Sequence, residues 1–402
     1  MSAYFKFEWQ QFITNKKNIA LLIIALSASL YYVLIIGPRY EPVEVVNQAE
    51  LTAKNSDRRQ FVDDYDPTTD RTGYLGMAAQ MFTDLLKIDE PRLKALETND
   101  WETYAKLTAE NYDLLNQLIN PGTEGLLNYN RKYYEYGRPA SYSGMEARYG
   151  YFMTARRYEG YVANANQINQ NILEERTGIQ HLGRLFSTAL PYFLLILGIF
   201  LMIDSLSKDF KHPTILFGFP LSTTKKLILK YLVCLLGFLG IMLLAFALIY
   251  FGMSFQFGFG QLDLALAVNQ QSPGVIKYIP LWLYLLQNLA LILLHLSLLY
   301  WLFALVTLIT KVELLNLVLG ISYLFAERLY YGRGKGYFID FSYLPFSYIR
   351  TGAVLSGYDN FYYHSQEFLY NFRHGLISLS LNLLIMMLLT ILWTKRRRFR
   401  SL

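Results

Sequence analysis

ILKYLVCLLGFLGIMLLAFALIYF, residues Ile228 to Phe251, carries a single charge, Lys230, in an otherwise apolar run. As a helix rising about 1.5 Å per residue, it is long enough to cross the roughly 30 Å hydrocarbon layer of a bilayer. Five further runs are of the same kind: Ile19 to Ile36, Leu185 to Ile203, Leu281 to Ile309, Val312 to Ala326 and Leu376 to Trp393. The one from Val312 is the shortest, with Glu313 at its start and Glu327 and Arg328 just beyond it. Hydrocarbon offers no partner to a bare backbone amide, so such runs are expected to be helices. Residues 38–184 contrast with them in being polar and charged. The chain therefore reads as an all-α polytopic membrane protein. It has six transmembrane helices, an N-terminal interfacial helix, and a mainly helical extracytoplasmic insert between spans 1 and 2.

Changes of composition set the boundaries. Residues 1–18 are an interfacial elbow helix, 19–37 the first span, 38–184 the insert, 185–203 the second span and 204–227 a cytoplasmic coupling segment. Residues 228–329 hold spans 3 to 5, 330–375 an aromatic outer loop open to re-entry into the bilayer, 376–394 the sixth span and 395–402 a basic tail. Short flanks rich in Lys and Arg lie on the cytoplasmic side. Here they are Lys6, Lys16 and Lys17, then Lys208, Lys211, Lys225, Lys226 and Lys230, then Lys395 to Arg398 with Arg400. Six spans place all three on one face, with both termini inside the cell and the insert outside. The net charge of +6 is then a topology signal, and no nucleic-acid partner is expected. The single cysteine, Cys234, lies in a span and leaves the insert without a disulfide. A bacterial plasma membrane is the expected location. The first run exceeds a signal-peptide core, and Ile35-Ile36-Gly37 is a poor cleavage site, so it reads as a retained anchor.

In SAYFKFEWQQFITNKK, residues Ser2 to Lys17, Phe5, Trp9, Phe12 and Ile13 share a helical face suited to the head-group layer of membrane lipids. Within the insert, Asp89 or Glu90 before Pro91 is a helix-start signal, and Asn99 or Asp100 is placed to cap the helix from Trp101. Asn120-Pro121-Gly122 stops that helix, and a further one is expected from Gly144 to Gln180, running into the second span. Its Tyr151, Phe152, Tyr158 and Tyr161 read as packing residues. The outer loop is dense in aromatic rings, which favour the membrane interface. Short re-entrant helices there are the alternative, making Tyr337, Phe341, Tyr343, Phe346 and Tyr362 outer-gate candidates.

Chemistry is sparse. The five histidines have no metal-ligand spacing such as HExxH, and no pattern of paired acid and base suggests an intramembrane enzyme. His295, inside the fourth span, reads as a neutral imidazole bonded to a neighbouring helix, with a proton relay as the alternative; Asn288 and Asn316 read as helix bridges. The phosphate-cradling GxxxxGK[ST] loop does not occur, and Gly332-Arg333-Gly334-Lys335-Gly336 has the wrong spacing. Nor do the spans carry mid-depth carboxylates for ion coupling. Energy for any transport is therefore expected from a separate polypeptide.

Force from such a partner must enter through a cytoplasmic feature, and the 204–227 segment is the only large internal one. Its Ile215, Leu216, Phe217, Phe219 and Leu221 are too apolar for a loop left in water, which marks a contact surface. Pro220 and the Ser222-Thr223-Thr224 cap then separate a short helix from the third span.

These residues resemble the membrane subunits of ATP-binding-cassette exporters of the type-2 permease family. The resemblance rests on the leader FEWQQFITNKKN and on an acidic residue, Thr-Ile, an apolar run, Pro-Leu-Ser and Lys. These fall at Asp209, Thr214-Ile215, Leu216 to Phe219, Pro220-Leu221-Ser222 and Lys230. Pro213 stands where the family often has Gly, and Thr223 where Arg is frequent. The likeness covers the membrane part and hardly touches the insert. It implies a permease with no cofactor of its own, ATP and Mg being held by a dimer of cytosolic ATPase subunits. It also implies a second permease chain, identical or homologous, and ATPase contact through Thr214, Ile215, Leu216, Phe217, Phe219, Pro220, Leu221 and Ser222. The cargo expected is an amphiphile, whether peptide, lipopeptide, lipid or drug. The rival reading is a membrane sensor or regulatory anchor that binds an extracellular ligand through residues 38–184.

Overall fold

The computed structural model describes residues 2–70, 73–118, 131–133, 141–164, 167–206, 219–272, 275–330, 342–362, 365, 367 and 369–400. The chain is mostly helical. Helix α1 (Ser2–Thr14) is followed by α2 (Lys16–Tyr31), which runs on as a π-turn through Ile36, and then by α3 (Gln48–Asp64), α4 (Tyr74–Glu97), α5 (Trp101–Leu118) and α6 (Ser141–Asn164). Next come the short α7 (Gln170–Leu173) and α8 (Gly178–Phe186), then α9 (Leu190–Met202) and the long α10 (Thr223–Phe257). A hairpin of β1 (Ala265–Ser272) and β2 (Val275–Pro280) precedes α11 (Leu281–Thr310) and α12 (Glu313–Tyr330). Two short helices, α13 (Thr351–Ser356) and α14 (Tyr358–Tyr362), lead to α15 (Phe372–Arg400).

Four stretches are long and apolar enough to cross a membrane: Lys16–Ile36, Thr223–Phe257, Leu281–Thr310 and Phe372–Arg396. They contain four of the six expected spans. Glu313–Ala326 is a shorter apolar helix. The expected second span, Leu185 to Ile203, is divided: the chain bends by 68° between α8 and α9, giving a fifth crossing only if the bent pair counts as one. Local chemistry accounts for the break. Ser187 and Thr188 donate their amides to Arg184 and Leu185, ending α8, and Pro191 opens α9, where its missing N–H costs nothing. A side chain at Gly352 would collide with the carbonyl of Phe186, so α13 lies directly against the break.

Helix α11 is the centre of the bundle. Leu291, Ile292, Leu296, Leu299 and Ala304 are fully buried, and 61% of its most apolar window is enclosed, against 11% for Lys16–Ile36. The outward faces of α2, α10 and α15 show Ile24, Leu34, Leu243, Leu388 and Leu392 to the surroundings. Such apolar faces match hydrocarbon rather than water. Two polar pairs tie α11 to α12. His295 Nδ1 shares a hydrogen bond with Tyr323 Oη at 2.6 Å, and Asn316 Nδ2 donates to Thr307 Oγ1 at 2.7 Å. Among the described residues Asn288 bridges no helices, contrary to expectation: its amide donates to Tyr284 O, one turn back in its own helix.

The described residues of the insert are mainly helical, with two departures from expectation. Pro91 lies inside α4 and does not start a helix. Asp89 is turned into the insert's interior, paired with Arg58, with Arg92 at 2.9 Å and with Asn111 at 3.1 Å. That network and the burial of Leu85, Ala95 and Leu96 offset the one hydrogen bond Pro91 removes. Of the two expected caps, Asp100 serves α5 by accepting the Thr103 amide at 3.1 Å, while Asn99 takes a left-handed φ of 55° and turns the chain. The helix expected from Gly144 to Gln180 stops at Asn164; Asn169 then caps α7 by accepting the Ile172 amide. Tyr151, Tyr158 and Tyr161 are buried, as packing residues should be. The stop at Asn120 to Gly122 lies outside the described residues.

The hairpin is an addition to the expected helices. Its strands pair antiparallel, with Ala265 opposite Pro280 and Val268 opposite Lys277.

Candidate functional site

Asn15 decides where the leader turns. It caps α2 by accepting the Lys17 amide at 3.1 Å, so α1 ends at Thr14 and lies beside the bases of α9 and α10. Phe5 stacks on Trp9 and Trp9 on Phe12, with ring centroids 6.4 and 6.0 Å apart, while Ile13 is exposed. The buried residues of α1 are others, Tyr4 and Glu8. Phe12 reaches inward as well, into space left by Gly237, where any side chain would meet its ring.

Glu8 is buried because its partner is. Lys230, the lone charge in the apolar run of α10, meets Glu8 Oε1 at 2.9 Å, the two side chains being 4% and 9% exposed. The same ammonium donates to Ser205 O at 3.0 Å. Beside it, Lys17 pairs with Asp204 at 2.5 Å and also reaches Phe200 O. Asn15 Nδ2 donates to Asp204 as well, at 3.4 Å. Two acids and two lysines thus fasten four segments: α1, the start of α2, the end of α9 and the start of α10. Removing one member of the buried Glu8–Lys230 pair would strand the other charge.

Phe219 extends the junction. It packs edge-on against Tyr4 at 5.1 Å and against Phe7 at 5.3 Å. Pro220 is exposed, Leu221 is half-buried, and Ser222 caps α10 by accepting the Lys225 amide at 3.4 Å. The described part of the connecting segment therefore rests on the leader helix. Thr214, Ile215, Leu216 and Phe217 lie outside the described residues. Sequence reasoning noted Lys230 only as the lysine closing the family-like pattern and missed its pairing with Glu8 and the burial of Tyr4. The available signal was two charges out of place, an acid among the leader's aromatic residues and a lysine inside an apolar run.

At the opposite end the loop before α15 meets the insert. Tyr149 stacks on Phe361 with centroids 4.4 Å apart, and Tyr358 donates its hydroxyl to Glu146 at 2.8 Å. The hairpin is clamped on both sides. Tyr278 donates to Glu159 of α6 at 3.0 Å. Gly357, at φ 82°, lies so close to the carbonyl of Asn269 that a side chain has no room. Burial, and then the Glu159 hydrogen bond, push the Tyr278 phenol up to about 12. Of the outer-gate candidates, Tyr343 is 73% exposed, Phe346 is half-buried, and Tyr362 is half-buried under the Arg350 guanidinium at 4.8 Å. Tyr337 and Phe341 lie outside the described residues. Tyr348 and Tyr370 of the same loop are core, with the Tyr348 hydroxyl donating to Ser342 O at 2.6 Å.

No three His, Cys, Asp or Glu side chains are grouped as metal ligands among the described residues. Compared with known proteins, the chain matches no family model, no curated protein and no solved structure.

Proposed function

We propose that the chain is the transmembrane subunit of an ATP-driven exporter that moves an amphiphilic substrate out of the cell, powered by a separate cytosolic ATPase dimer. In this reading six spans place both termini and the 204–227 segment in the cytoplasm of a bacterial cell. The insert and the aromatic loop face outward, and a second permease chain, identical or homologous, completes the pathway. The observation that carries the reading is the junction at the leader end. Phe219 rests on Tyr4 and Phe7, and Glu8 and Lys17 reach Lys230 and Asp204 at the bases of α10 and α9. A push on the connecting segment would therefore reach several helices together. Binding energy can shift a conformational equilibrium only through contacts that differ between its states, and this shared joint supplies a place for them.

Co-expression with candidate ATPase subunits, purification through a tag on this chain and assay in lipid test the proposal. A stable complex with ATP turnover is expected, and Phe219→Asp lowers that turnover while the membrane subunit still folds. Unchanged assembly and turnover in the variant would overturn the coupling role.

A further inference from the structure

The end of α3, the turn after it and the start of α4 line an open groove of about 440 Å³. Asp57, Phe61 and Asp64 stand at positions one and two turns apart on α3 and so share a face. Phe61 forms the floor, steadied edge-on by Phe82 at 5.1 Å. Leu75 of α4, Tyr65, Asp66 and the polar Gln60 and Thr69 complete the lining. The first turn of α4 also exposes Tyr74 and Met77, 74% and 69% open to solvent. Large apolar side chains clustered in a polar region mark a contact surface.

Among the described residues that line the groove, the charged ones are all acidic. Arg58 and Arg59 of the same helix are drawn away into pairs with Asp89 and Glu90, leaving the exposed Asp57, Asp64 and Asp66 along the groove. Asp57 and Asp64, seven residues apart, lie about 10 Å from each other along the helix axis. That spacing equals two turns of a partner helix. Apolar floor and acidic rim together complement a helix with Leu-like residues on one side and lysines on the other.

We infer that this groove binds a cationic amphipathic peptide. The inference rests on the reading that the substrate is an amphiphile and narrows it to a peptide of positive charge. The rim steers the cation toward the groove, and burial of its apolar face on Phe61 and Leu75 holds it there.

The full chain in nanodiscs of neutral phosphatidylcholine, with empty discs as the reference, provides the test. The probe is a fluorescent synthetic peptide of Leu and Lys in helical alternation, compared with its Leu and Glu counterpart by anisotropy. Saturable binding of the Lys peptide alone is expected. Asp57→Asn with Asp64→Asn should weaken it about fivefold, the scale of two exposed ion pairs, and Leu75→Ser should weaken it further. Raising salt from about 0.1 M to 1 M, which shortens screening from about 10 Å to 3 Å, should erase the difference between wild type and the Asn variant. Equal binding of both peptides, no effect of the Asn variant at unchanged helical content, or a signal equal to that of empty discs would overturn the proposal. No ATPase is present, so failure here leaves the exporter reading standing. Conversely, binding without coupled turnover would sink that reading alone.

Discussion

At the leader end, Glu8 and Lys230 meet at 2.9 Å with both side chains almost closed to solvent. At the insert end, Tyr149 lies flat on Phe361 and a hairpin is wedged between α6 and Gly357. A buried ion pair tolerates little displacement, because moving the partners apart leaves each charge in a poor medium. A stacked aromatic pair carries no charge to strand and is worth about 0.5–1.5 kcal/mol beyond its buried area. The leader end is thus held by a buried charge pair, the insert end by ring stacking and close backbone packing.

The contrast is broken most severely by Lys230→Met. Leaving Glu8 buried without its cation should cost about 3–5 kcal/mol, visible as a large fall in the thermal midpoint of the purified protein. Adding Glu8→Gln should recover much of the loss; a double variant no better than the single would mean that the pair is not the reason. Gly357→Ala comes next. Its φ of 82° and the neighbouring Asn269 carbonyl give an expected cost of about 1–3 kcal/mol. Hydrogen exchange should rise in the hairpin and stay unchanged at the leader end. If the leader end also loosens, the two ends are not separable.

The smallest effect sharpens the comparison through pH. Tyr278 has its phenol raised to about 12 from an ordinary value of 10. A raised pKa means that the neutral form is the one stabilised by folding. Its contribution is therefore intact below about pH 10 and disappears as pH climbs to about 12. Loss of hairpin protection in that window, abolished by Tyr278→Phe, is the expected result.

Much of the bundle is legible in the sequence because run length and hydropathy speak directly to membrane crossing. The apolar stretches within α2, α10, α11 and α15 were all visible in this way. The break after Phe186 was not, because hydropathy carries no direction and Pro191 suits the start of a helix as well as it marks a bend. Pro91 misled for a related reason: proline signals a helix start only where packing does not carry the helix through it, and the Asp89 network does. The hairpin had a readable signal in Ser272-Pro273-Gly274 between two short runs, obscured by the long apolar neighbours. Glu8 and Lys230 are distant in sequence, and only the tertiary fold brings them together.

The central claim is that the leader end faces the cell interior, where an ATPase can act on it. With Cys234 replaced by Ala, single cysteines at Thr223 and Asp57, both exposed, can be treated on intact cells with a membrane-impermeant maleimide. The account predicts labelling of Asp57→Cys in intact cells and of Thr223→Cys only after permeabilisation. Labelling of Thr223→Cys in intact cells would contradict it.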